Sequence, residues 1–95
     1  MAGESQLIHI KLAIQIIKQQ EFIVGPVAWS EAKKVDGLVI KGESISIKGE
    51  GKMVLESLVK QYETLFGRAS IEVCREAIKG MISTVDKNEI PDILH

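Results

Sequence analysis

At 95 residues the chain has material for one hydrophobic core, because two would leave each half below the size at which unaided folding is common. Its formal net charge of -1 excludes the global basic field that draws proteins to nucleic acids or anionic membranes. Cys74 is the only cysteine, which excludes an internal disulfide and fits a reducing compartment, so a cytoplasmic location is expected.

The first segment, Ser5 to about Gln20, carries two patterns at once. Ile8, Ile10, Leu12, Ile14 and Ile16 alternate with His9, Lys11, Ala13 and Gln15 as a half-buried strand would. Leu7, Ile10, Ile14 and Ile17 also mark one helical face, and Ile8, Leu12 and Ile16 a second. Ser5 as a cap and the exit Lys18-Gln19-Gln20-Glu21, made of good helix formers, favour a helix, and a strand is the alternative. Glu4, His9 and Lys11 interrupt the segment too early for a secretory signal, and no apolar run is long enough to span a membrane.

Phe22-Ile23-Val24 is a short apolar run closed by Gly25-Pro26, a strong breaker. Proline suits the first turn of a helix, so Pro26 to Val35 reads as a short helix with Ala28, Ala32 and Val35 inward and Trp29 nearby. Leu38-Val39-Ile40, a turn at Gly42-Glu43-Ser44, and Ile45-Ser46-Ile47 read as a β-hairpin. From Met53 to Phe66, Val54, Leu55, Leu58, Val59, Tyr62, Leu65 and Phe66 fall at helical spacing, with Glu56 and Lys60 placed for an i,i+4 ion pair and Gly67 as terminator. Ser70 is placed to cap a last helix whose stripe is Ile71, Cys74, Ile78, Met81, Ile82 and Val85. Pro91 blocks continuation, and about 86–95 reads as a loose tail in which Ile90, Ile93 and Leu94 are the residues able to dock.

These elements predict an α+β fold of order α-α-β-β-α-α in a single domain spanning 1–95. A two-stranded sheet has exposed edges that natural proteins seldom leave bare. Homodimerisation through the sheet or the first helix is therefore expected.

The turn Lys48-Gly49-Glu50-Gly51-Lys52 lies between a strand and a helix, where backbone N–H groups can hold a phosphate. It is not a P-loop, since Ser46 stands where that motif needs glycine and Met53 where it needs Ser or Thr. The stretch Ile45-Ser46-Ile47-Lys48-Gly49, followed by Val54 and an amphipathic helix, is similar to the last strand and helix of KH nucleic-acid-binding domains. The likeness covers a minority of the chain and lacks the family's GxxG loop. The alternative reading is therefore a small KH-like nucleic-acid-binding module that uses the turn residues Lys48, Gly49, Gly51 and Lys52 together with Lys41 for anion or nucleic-acid contact, with nucleic acid a less favoured partner than protein.

Two histidines and one cysteine at remote positions offer neither a nucleophile–base pair nor a zinc ligand set. His9 reads as solvent-facing, and Cys74 as a buried structural thiol. Glu72 and Glu76 lie one turn apart but interleave with Arg75 and Lys79, the pattern of a solvated face. No catalytic, cofactor-binding or metal-binding residue is expected. The reading that follows is a non-enzymatic protein-interaction or regulatory module that self-assembles, with Trp29, Ile8, Leu12 and Ile16 as the candidate interface.

Overall fold

The computed structural model describes the backbone of residues 2–42 and 44–95 and the side chains of 7–42 and 44–95. Four helices, α1 (Ala2–Val24), α2 (Val27–Ala32), α3 (Gly51–Phe66) and α4 (Ala69–Ile78), enclose a hairpin of β1 (Leu38–Lys41) and β2 (Ser44–Ile47) between α2 and α3. Short 3-10 turns follow at Ile82–Thr84, Lys87–Glu89 and Asp92–Leu94. The expected α+β order is the observed one.

The double pattern of the first segment resolves as a helix. Its buried residues are His9, Leu12, Ala13, Ile16, Ile17 and Gln20, a single stripe at three- and four-residue spacing. At 23 residues α1 is about 34 Å long, which matches the 35 Å long axis of the molecule. It begins at Ala2, so Ser5 lies inside the helix, and it absorbs Phe22-Ile23-Val24 before stopping. The stop is Gly25, whose φ of +82° suits glycine and whose N–H donates to Glu21 O at 2.8 Å.

Against the α1 stripe pack α3 and α4, which also pack on each other, and α2 bridges α1 and α3. Leu55, Leu58, Val59, Tyr62, Cys74 and Ile78 complete the centre of the core. Tyr62 satisfies its hydroxyl by donating to Ala28 O at 2.7 Å. Gln20 donates Nε2 to Ser70 O at 3.1 Å, so a polar group in the core keeps a partner.

In the hairpin, Leu38 pairs with Ile47, Val39 with Ser46, Ile40 with Ile45 and Lys41 with Ser44. Leu38 and Ile47 are buried, and Ile40 and Ile45 half-buried, while Lys41, Ser44 and Ser46 are exposed, as a one-sided sheet requires. β2 is the strand that packs on α1, and β1 is the outer strand. At Gly37, φ is +89° and a Cβ would lie 2.7 Å from Val54 Cγ2 and 2.9 Å from Lys48 O, so only glycine lets β1 start this close to α3. Of the expected turn, Glu43 lies outside the described residues.

Several expectations change. Leu65 and Phe66 are exposed rather than buried, because α3 runs past the core after Tyr62, although Phe66 still stacks on Tyr62 with ring centroids 6.1 Å apart. Ser70 does not cap α4: it lies within the first turn and its hydroxyl donates back to Gly67 O at 2.7 Å. α4 ends at Ile78, which leaves Ile82 exposed and Met81 half-buried. The segment expected as a loose tail docks, with Ile90 and Pro91 buried and Leu94 at 2% exposure. His9 is not solvent-facing but 3% exposed, since it falls on the same stripe as Leu12 and Ile16. The Glu56–Lys60 pair forms at 3.6 Å, and Gly67 ends α3 with φ +88°.

Candidate functional site

The face of α1 opposite the core stripe carries Lys11, Ile14, Lys18, Glu21 and Phe22, of which only Ile14 is partly covered. Beside it lies an open groove of about 560 Å³ lined by Ile14, Lys18 and Glu21 of α1, Trp29 of α2, and Gly42 and Ile45 of the hairpin. Its apolar lining is the half-buried trio Ile14, Trp29 and Ile45, and its charged rim is Lys18 and Glu21.

Beyond the groove the surface becomes apolar. Phe22 is 87% exposed and Ile23 57%, and Val27, Leu65 and Phe66 are exposed as well. The bonds from Tyr62 to Ala28 and from Gln20 to Ser70 bring the ends of α1 and α3 and the start of α2 together. These side chains therefore share one end of the molecule.

Of the four residues expected at an interface, Trp29 keeps a surface position in the groove and Ile8 is half-buried. Leu12 and Ile16 are at 0% exposure, inside the chain's own core, which withdraws them from any surface. The large apolar residues exposed at the end of α1 and the start of α2 are instead Phe22, Ile23 and Val27. The missed signal was the spacing itself: continuing α1 past Gln20 places Phe22 one turn after Lys18 on the outward side.

The residues expected to contact an anion are not all brought together. Lys48 lies at the base of the hairpin, sharing an open groove of about 640 Å³ with Lys33 and Lys34, while Lys41 lies at the other end of β1. Asp36 and Glu50 line the same groove and nearly balance its lysines. Glu50 is also the residue that precedes α3, so an acidic residue stands next to the positive end of that helix, although its side chain makes no capping hydrogen bond. Gly49 is exposed with φ +95°, and Lys52 is half-buried. Gly51 is filled by the His9 ring: a Cβ there would lie 2.3 Å from His9 Nδ1.

The buried ionisable groups are held by local partners. His9 Nε2 stands 2.9 Å from Glu89 O and 3.2 Å from Glu89 Oε2, tying α1 to the C-terminal segment. Glu31 accepts from Lys34 Nζ at 3.0 Å and Gln61 Nε2 at 2.9 Å, and these bonds, Lys34's first, hold its carboxyl below the usual range. Burial pushes the Cys74 thiol up to about 11, against the opposing effect of Gln20 Nε2 3.5 Å away. A thiol so placed is a poor nucleophile at neutral pH. Burial also raises Tyr62, with smaller contributions from Cys74 and Glu31.

Among the described residues no group of three or more His, Cys, Asp or Glu is placed to hold a metal ion, and no helix is long and apolar enough to cross a membrane. Comparison of the chain with protein-family models, with curated proteins and with solved structures finds no match.

Proposed function

We propose that this chain is a non-enzymatic protein-interaction module that assembles with itself and acts by association rather than turnover. The reading is carried by two unpartnered surfaces: the two-stranded hairpin, a sheet too small to leave its edges bare, for self-assembly, and the apolar end with Phe22, Ile23, Val27, Leu65 and Phe66 beside the Trp29 groove for a second protein. Burying one large apolar side chain is worth about 1.5–3 kcal/mol, so leaving Phe22 almost wholly in water forgoes stability that a partner surface would recover. Large apolar side chains left exposed near one another mark candidate interaction sites in small proteins. A cytoplasmic setting fits a chain whose one thiol is buried and unpaired. The test is sedimentation velocity across a concentration series. The expected result is an associated species at tens of micromolar, and a strict monomer throughout that range rejects the proposal.

A further inference from the structure

We infer that the homodimer forms by antiparallel pairing of β1 with β1 of a second copy, giving a continuous four-stranded sheet with its two-fold axis at Val39. The inference rests on the self-assembly reading above and names the surface responsible.

The hydrogen-bond phase of the hairpin leads to it. Lys48 N–H donates to Gly37 O at 2.8 Å, one step beyond the Leu38–Ile47 pair. Bonded pairs alternate along an antiparallel ladder, so Val39–Ser46 and Lys41–Ser44 exchange bonds while Leu38–Ile47 and Ile40–Ile45 do not. The N–H and C=O of Ile40 and the C=O of Leu38 therefore point away from β2. Leu38 N–H is taken by Val35 O at 3.2 Å, but among the described residues the Ile40 N–H and C=O and the Leu38 C=O have no hydrogen-bond partner. β2 packs on α1 while among the described residues no helix packs extensively on β1, and the start of β1 borders the open groove it shares with Met53 and Ser57 of α3, so this row lies on the open side of the sheet.

A second β1 is the occupant that fits the row. With Val39 on the axis, Ile40 N–H of each copy meets Leu38 C=O of the other, which makes two reciprocal bonds. Leu38 and Ile40 then continue one apolar face across the junction, and the two Val39 side chains meet on the outer face. Lys41 falls opposite Gly37 of the second copy, where no side chain obstructs it, and next to Asp36. Both Asp36 and Lys41 are exposed, and among the described residues neither is in an ion pair. Across the axis they make two reciprocal opposite-charge contacts. A register centred on Ile40 would instead set Lys41 against Val39 and leave Asp36 without that cation. Strands of four residues bury less than the roughly 800 Å² per partner of a standard interface, the size range of weak, transient association, so the test is made at tens of micromolar.

The experiment combines sedimentation velocity at tens of micromolar with amide hydrogen exchange. Wild type is expected to be dimeric, and its Ile40 amide to exchange about tenfold slower when nine tenths of the chain is dimer than on dilution to monomer. Val39→Lys sets two cations on the axis and is expected to give monomer. Asp36→Lys and Lys41→Asp are each expected to weaken association, and the double swap to restore it. Phe22→Asp, on the apolar end, is expected to leave dimerisation unchanged. Asp36, Lys41 and Phe22 are exposed and Val39 is half-buried, and circular dichroism of each variant checks that the fold is kept. A wild-type dimer whose Ile40 exchange is unaffected by dilution, or one abolished by Phe22→Asp but not by Val39→Lys, overturns the β1 assignment while self-assembly stands. A swap that fails to restore association overturns the register. A strict wild-type monomer rejects both readings.

Discussion

Replacing Gly51 by alanine sets two general tendencies against one local contact. Alanine is the better helix former by about 1 kcal/mol and also restricts the unfolded chain, so at the first residue of α3 the change should stabilise. The added Cβ, however, would lie 2.3 Å from His9 Nδ1, 2.5 Å from Cγ and 2.8 Å from Cβ. The ring has nowhere to go: it is 3% exposed and its far nitrogen is fixed 2.9 Å from Glu89 O. Overpacking of this kind costs about 1–3 kcal/mol, and displacing the ring also forfeits a hydrogen bond worth about 1 kcal/mol. The net expectation is a loss of about 1–3 kcal/mol, or a drop in Tm of about 4–8 °C for each kcal/mol in a domain of this size. Thermal and urea unfolding of Gly51→Ala, His9→Ala and the double variant, followed by circular dichroism, form the test. In the His9→Ala background the alanine should be neutral or stabilising, so the two changes should be strongly non-additive. A Gly51→Ala protein as stable as wild type, or additive with His9→Ala, refutes the reasoning.

Three further outcomes are expected. Between pH 9, where the unfolded chain begins to lose the Cys74 proton, and the folded value of about 11, stability should fall by about 2–3 kcal/mol. Below pH 9 both states keep that proton and the thiol contributes no slope; Tyr62, also raised, adds to the loss above pH 10, so Cys74→Ala should flatten urea midpoints chiefly between pH 9 and 10. Ile90→Ala should cost about 2–5 kcal/mol in urea unfolding, because Ile90 is at 0% exposure, whereas a loose tail would show almost no change. Titration with mixed labelled oligonucleotides should show no binding even at low salt, since Asp36 and Glu50 interrupt the lysines; salt-sensitive binding lost on replacing Lys48 and Lys52 would instead support the nucleic-acid reading.

How much was legible in the sequence follows the range of the forces involved. α3 was plain because its stripe is local and its terminator, Gly67, adjoins it. α1 was ambiguous because Ile8 to Ile16 satisfy a period of two as well as 3.6, and only the partners on α3 and α4 choose between them. The burial of His9 and Gln20 had no local signal, since they are satisfied by Glu89 and Ser70, 80 and 50 residues away in the chain. The same distance hid the docking of Ile90 and Leu94. Trp29 is half-buried in the groove, while Leu12 and Ile16, which the spacing offers as a second apolar face, lie in the core. α1 buries one stripe, and its most exposed apolar residue, Phe22, lies beyond the point where the helix is expected to end.

The single tryptophan gives the molecule a built-in optical reporter. Trp29 is half-buried and lines the groove between α1, α2 and the hairpin, so its emission samples one locus alone. A molecule entering that groove should shift the spectrum to the blue as the indole loses water, while pairing along the outer edge of β1, whose residues do not line the groove, should shift it less. A cuvette measurement on the unlabelled chain can therefore tell which of the two surfaces has been engaged.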